Sequence, residues 1–283
     1  MKDGRTVSKI VGNLLFWALI LLIIFYTLFP FYWAVVSSIT PSNQLFSTPV
    51  RYFPLNPTLS SYRTVFSNPD FMRALLNSVF VAGTTVILSL LIGSFGAYAL
   101  GRLQFRGRSI ALYLVLSMTM FPAIAILGAL FTMVRRLGIY NTPWALIMTY
   151  MTFSLPFTVW VLSNFFKSLP AELEQAAYVD GASPFQTFYL ILLPLTAPGL
   201  VTTGLLAFIS AWNEFLYALT FTLTPEARTV PPAIALFSGS QEFEIPWGDI
   251  MAAAIVVTVP LVVLVLVFQQ RLVEGLTAGA VKG

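Results

Sequence analysis

The chain has 283 residues, 58% of them hydrophobic and only 9% charged, with a mean hydropathy of +0.84; this excludes an ordinary water-soluble globular domain and describes an integral membrane protein. It contains no cysteine and no histidine, which excludes disulfides, thiolate or imidazole metal centres, Ser-His and Cys-His catalysis and histidine proton relays. The net charge of +4 comes from basic residues scattered at the ends of apolar runs rather than clustered, so they read as topology signals and not as a nucleic-acid surface.

Hydropathy marks six segments of roughly 19 to 28 residues, each long enough to cross a hydrocarbon core of about 30 Å as a helix. Their expected limits are 10–37, 74–100, 109–134, 143–166, 195–220 and 250–268. The fold class expected is therefore all-α: one transmembrane domain over 1–283, with six spans and a polar insert at 167–193, between the fourth and fifth.

Lys2, Arg5 and Lys9 precede the first apolar run as they would a signal peptide, but the run is too long and lacks a small-residue cleavage pattern, so it reads as a retained span. An outer connection follows, Ile39 to Arg73, and then the second span, in which Asn77, Gly83, Thr84, Thr85, Gly93 and Gly96 read as small-residue helix packing. The tight turn "GRLQFRGRS" carries Arg102, Arg106 and Arg108. With both termini cytoplasmic, about nine Lys/Arg fall inside and about six outside, although Arg135 and Arg136, at an outer end, oppose that orientation. Trp17, Trp33, Trp144, Trp160 and Trp212 fall mostly near span ends, as an aromatic belt does.

The insert begins "SLPAELEQAAYVDGASPFQ". Pro170 suits a first helical turn, Glu172 and Glu174 lie at the positive end of the helix dipole, and Gly181 can take the left-handed conformation that ends a helix. Ser183, Pro184 and Gln186 then form a capping-box pattern that restarts a second helix. Two readings stand side by side, an amphipathic linker on the membrane surface and a docking element. Interfacial helices carry Lys and Arg, whereas this one offers Glu172, Glu174 and Asp180, which anionic lipid repels. That favours a protein partner, with Ala176, Ala177, Gly181 and Ala182 presenting a small surface for close approach.

In the fifth span Thr203, Ser210, Asn213 and Tyr217 recur at helical spacing and are expected on one face, either lining a pathway or joining helices. Glu214, near the outer end, reads as facing a cavity or partner, or as an interfacial carboxylate. Trp212 and Tyr217 add aromatic faces to this stretch. Ser210, Trp212, Asn213, Glu214 and Tyr217 are thus the pathway candidates. The outer loop that follows contains "LFSGSQEF", whose Phe237, Ser238, Gly239, Ser240 and Gln241 combine flexibility, hydrogen-bonding groups and an aromatic. It reads as a reaching loop or as a solvated connector.

The block "EQAAYVDGASPFQTFYLILLP" resembles the coupling-loop motif of binding-protein-dependent ABC importer permeases, in which Glu-Ala-Ala is followed after a gap of three by Gly and then by an apolar stretch closing in Leu-Pro. "LLNSVFVAGTT", "GAYALGRLQFRGR", "FISAWNEFLYALTFT" and the ending from "WGDIMAAAIVV" to "EGLTAGAVKG" agree, the last being similar to the shorter permease of maltose-type sugar importers. The resemblance implies the permease subunit of an ATP-driven sugar importer in the cell membrane, with maltose or trehalose as substrate. Its implied partners are a second permease, a cytoplasmic ATPase dimer and an extracytoplasmic solute-binding protein. It further implies that Glu174, Gln175, Ala176, Ala177, Asp180 and Gly181 couple to the ATPase. Gln175 stands where the motif has Glu, and either Gln175 hydrogen-bonds an arginine there or Glu174 supplies the charge from the adjacent position. Phe237 to Gln241 would enter the binding protein's cleft, and the tail would reach toward the ATPase interface.

No Gly-x-x-x-x-Gly-Lys-Ser/Thr loop occurs, so nucleotide and Mg are expected on another polypeptide, with no cofactor and no catalysis in this chain. An ion-coupled secondary transporter is the alternative; it calls for discontinuous helices, an inverted repeat and mid-membrane carboxylates, none of them evident in the sequence. A membrane-embedded hydrolase lacks a nucleophile with an activating base.

Overall fold

A chain in hydrocarbon must satisfy each backbone N–H and C=O within its own segment, and every regular element among the described residues is a helix. The computed structural model describes residues 3–237 and 245–278, with side chains over 9–237 and 245–272. In chain order the helices are α1 (Asp3–Ile39), α2 (Ser60–Ser67), α3 (Pro69–Gly101), α4 (Arg108–Thr119), α5 (Ala123–Arg136), α6 (Pro143–Ser168), α7 (Glu172–Val179) and α8 (Pro184–Gln186). A π-helical stretch, Thr187–Leu192, leads from α8 into α9 (Leu193–Leu195). Then come α10 (Ala197–Trp212), α11 (Leu216–Phe221), α12 (Val230–Ala235) and α13 (Trp247–Ala278).

Four stretches are long and apolar enough to cross a membrane singly: Lys9–Ile39, Pro69–Gly101, Pro143–Ser168 and Trp247–Leu272. Two more are bent pairs, α4 with α5 at 94° and the run Pro184–Leu195 with α10 at 72°, so the candidate spans number four to six.

Breaks in the helices correct two expectations. The third span, expected as one helix over 109–134, breaks after Thr119 and restarts with Pro122 as an extended N-cap, ψ 125°. Proline has no N–H to continue the ladder, and it disfavours the helical conformation in the residue before it. The fifth, expected over 195–220, ends at Trp212 and resumes only at Leu216. Discontinuous helices, not evident in the sequence, are therefore a feature of this fold.

Contacts divide the chain into two compact units. One takes the chain up to Asn68 together with the segment ending at Thr258. Here the Tyr32 hydroxyl donates to the Tyr52 carbonyl at 2.6 Å, and the Ser38 and Tyr62 hydroxyls share a hydrogen bond of 2.8 Å between α1 and α2.

The other unit takes Pro69–Leu236 and the chain from Val259 onward, and its centre is the packing of α3 on α6. Between apolar helices in lipid, close van der Waals fit drives association, so small residues mark the contact. A Cβ added at Gly93 would sit 2.6 Å from Thr158 Cγ2, and one at Gly101 would sit 3.0 Å from both Phe166 Cβ and the Ser163 carbonyl. Gly83, expected to pack likewise, has nothing within 4 Å of that point. Buried Ala97, Tyr98, Leu162, Phe166, Phe188 and Leu192 form a cluster that joins α3, α6 and the π-helical stretch.

Candidate functional site

The insert folds as helix, turn and helix. α7 starts at Glu172, two residues beyond Pro170, with Ala171 as N-cap, so Pro170 lies outside the helix and the first turn holds Glu172 and Glu174. Gly181 takes φ +81°, its N–H donates to the Tyr178 carbonyl at 3.1 Å, and the Ala182 N–H reaches back to Ala177 at 2.9 Å. This pair of bonds is the Schellman closure, which requires a left-handed residue at that position. Two residues on, the Ser183 hydroxyl accepts the Gln186 N–H at 3.3 Å while Gln186 Oε1 accepts the Ser183 N–H at 2.8 Å, completing the expected capping box. The chain widens into π-helical turns just before Pro194, whose ring crowds the carbonyl four residues back; the wider turns make room for it.

Gln175, Ala176, Asp180 and Gly181 are exposed, and Val179 beside them is 87% exposed. Ala177 corrects the expectation of a continuous small surface: it is buried inside the chain's own packing. Glu174 also turns inward. Its carboxylate pairs with the Arg102 guanidinium at 2.7 Å, with side-chain exposures of 17% and 9%. Beneath the second half of the insert, Phe188 packs against Tyr98 at 5.0 Å and Phe95 at 5.1 Å, ring centre to ring centre. The insert thus rests on the adjoining ends of α3 and α6.

The pathway candidates do not share one face. Trp212 and Tyr217 are buried, with Trp212 stacked on Phe208 at 5.5 Å, whereas Ser210 and Asn213 are exposed. The expected stripe is lost because α10 ends at Trp212, with Asn213 as its C-cap and the Asn213 amide donating to Ile209 at 2.8 Å. Thr203, expected on the same face, is fully buried.

Glu214 spans the break. Its two oxygens accept the N–H groups of Tyr217 and Ala218 at 2.8 and 2.9 Å, so the carboxylate caps the positive end of α11. The Tyr217 hydroxyl donates to the Ala123 carbonyl at 3.3 Å, linking this break to the bend before α5. An open, mostly apolar groove of about 520 Å³ lies in the angle of α4 and α5 against α6, lined by Met118, Phe121, Ile126, Met151, Leu155 and others. None of the five pathway candidates lines it. The signal for it in the sequence was Pro122 in the middle of an apolar run.

At the opposite end from the insert, two asparagines fasten the segment after α11. Asn141 takes φ 60°, its Oδ1 accepts the N–H groups of Leu223 and Thr224 at 2.7 and 3.0 Å, and its amide donates to the Thr224 hydroxyl at 3.1 Å. Asn77, expected to pack between helices, donates instead to the carbonyls of Glu226 and Arg228, each at 2.9 Å, and Ser78 Oγ accepts the Val230 N–H at 2.8 Å. A hydrogen bond from the Thr224 side chain holds the exposed Glu226 carboxyl below its ordinary range. This fastened segment leads through α12 to Phe237, which is half-buried; Ser238, Gly239, Ser240 and Gln241 lie outside the described residues. Among the described residues no group of acidic side chains is placed to hold a metal ion.

Residues 89–277 match the family described as binding-protein-dependent transport system inner membrane component. The trehalose transport system permease protein SugB of Mycobacterium tuberculosis is 43% identical over 269 residues, covering 95% of this chain and 97% of that protein. The trehalose/maltose transport system permease protein MalG of Thermococcus litoralis is 44% identical over 258 residues, covering 90% and 92%. Among solved structures, a bacterial ABC transporter involved in the import of the acidic polysaccharide alginate superposes with a TM-score of 0.81 at 23% identity, covering 93% of this chain and 97% of that one. With two thirds of its length inside the family match and near-complete coverage by sugar-transport permeases, the chain belongs to the binding-protein-dependent inner membrane components, as a permease of the carbohydrate ABC importer type.

Proposed function

We propose that this chain is the shorter permease subunit of an ATP-driven importer of an α-glucoside such as maltose or trehalose. It forms half of a translocation pathway with a second permease chain. The observation that carries this reading is the identity of 43% to 44% over at least 90% of the chain to permeases named for trehalose and for trehalose/maltose. Each bent pair counts as one span, which makes six, in one transmembrane domain embedded in the lipid of the cell's inner or plasma membrane. Both termini and the 167–193 insert face the cytoplasm.

The insert is the coupling element. Gln175, Ala176, Asp180 and Gly181 meet a cytoplasmic ATPase dimer, which binds ATP and Mg and carries out the hydrolysis. This chain contributes no catalysis. A short helix fixed to transmembrane helices converts closure of the ATPase into rigid-body movement of those helices. On the outer side Phe237 to Gln241 contact an extracytoplasmic solute-binding protein. Ser210 and Asn213, the exposed members of the pathway set, face the sugar's route.

Co-purification of the chain with its cognate second permease, ATPase and binding protein tests this reading. ATP hydrolysis by the assembled complex should rise several-fold when the binding protein is loaded with trehalose or maltose rather than empty. Hydrolysis indifferent to the loaded binding protein, in a complex that nevertheless assembles, would overturn it.

A further inference from the structure

Arg102 stands one residue beyond the end of α3 and reaches over the end of α6 to the first turn of α7. Its Nε and Nη2 donate to Glu174 Oε2 at 3.0 and 2.7 Å. Nη1 donates to the carbonyls of Leu169 at 2.8 Å and Phe166 at 3.5 Å, and Nη2 to that of Pro170 at 3.2 Å. Every N–H of the guanidinium is directed to a partner, a use that suits the rigid fork of Arg and not the single ammonium of Lys.

What Arg102 grips is the covalent joint itself. α7 is tied to α6 only by Leu169, Pro170 and Ala171, with Leu169 in extended backbone. Pro170 locks its own φ and restricts Leu169, but the remaining backbone dihedrals of this three-residue joint still let α7 turn, so part of a push on α7 would be absorbed there. Arg102 holds two of the joint's carbonyls, the last turn of α6 and the acidic first turn of α7. Two further features keep it in place. Arg108 occupies the carbonyls of Leu100 and Gly101 at 2.8 and 2.7 Å, which leaves Arg102 free to reach outward. Gly101 lets the ends of α3 and α6 come close enough for that reach.

We propose that Arg102 is a positioning residue that locks α7 to the ends of α3 and α6, so that movement of the insert passes to two transmembrane helices together. The inference rests on the reading of the insert as the coupling element. It also divides the labour of two neighbouring positions: Glu174 is the inward anchor, and the exposed Gln175 is the one left for the partner.

The test uses the full complex with its ATPase and binding protein in liposomes, and Arg102→Lys, Arg102→Ala and Glu174→Gln variants. Docking is read by a disulfide or bifunctional cross-link from Val179→Cys to the ATPase; coupling is read as sugar imported per ATP hydrolysed. In Glu174→Gln, the mildest change, and in Arg102→Lys the cross-link should form as in the parent while the sugar-to-ATP ratio falls by about five-fold or more. Arg102→Ala should lose more than Arg102→Lys. A pair that serves only folding would lower the amount of chain in the membrane and leave the ratio unchanged, and that result would overturn the proposal. A missing cross-link in the parent complex would instead overturn the docking reading, and Arg102 would then have no movement to transmit.

Discussion

At the scale of single residues, Gly101 decides how close α3 and α6 approach at the insert end. A Cβ there would stand 3.0 Å from a side-chain carbon and from a backbone oxygen, neither of which is the far end of a flexible chain. Overpacking of this kind costs about 1–3 kcal/mol, whereas Gly→Ala at an open helical position gains up to about 1 kcal/mol. Gly101→Ala should therefore lower the thermal unfolding midpoint of the detergent-purified complex, while Gly83→Ala, with nothing within 4 Å, should leave it unchanged or raise it. Equal shifts in the two variants would contradict the close α3–α6 contact. Residues whose role is set by neighbours one turn away were legible in the sequence: the left-handed Gly181 and the Ser183–Gln186 box follow from local spacing. Arg102 was not, because its partner Glu174 is 72 positions on and a basic residue in a tight turn reads equally well as a topology signal. Ala177 failed for the same reason, since which side of a short helix is covered depends on the π-helical stretch packed beside it.

At the scale of elements, the existence and type of each long helix were legible because about 20 apolar residues in a row admit few alternatives. The breaks were less so. Pro122 was visible, but Pro156 and Pro260 lie inside helices that continue, so proline alone does not locate a bend. The interruption at Asn213–Phe215 has no proline at all. It is held by a carboxylate, Glu214, that the sequence offered as a pathway group and that the fold uses as a helix cap. The Asn141 turn belongs to the same scale. Its side chain accepts two backbone N–H groups and its backbone sits at φ 60°, a conformation that Asn tolerates and Ala does not. Asn141→Ala should destabilise by about 0.5–1.5 kcal/mol for each partly solvated hydrogen bond it loses, with backbone strain added; Asn141→Gly should lose only the side-chain part. Thermal unfolding of the two variants checks this, and an Ala variant as stable as the Gly variant would contradict the strained turn.

At the scale of the whole molecule, discontinuous helices alone fit a secondary transporter as readily as an ABC permease. What separates the two is how the chain is driven. Membership of the binding-protein-dependent family, together with an insert that is capped, anchored to two helix ends and exposed along Gln175, Ala176 and Asp180, supports the proposal that the drive lies outside the chain. The most direct measurement is uptake of labelled trehalose or maltose into liposomes containing the four-component complex, with loaded binding protein outside, ATP inside and ionophores present to collapse every ion gradient. The account predicts accumulation that requires lumenal ATP and is indifferent to the ionophores. Uptake that persists without ATP and stops when the gradients collapse would contradict it.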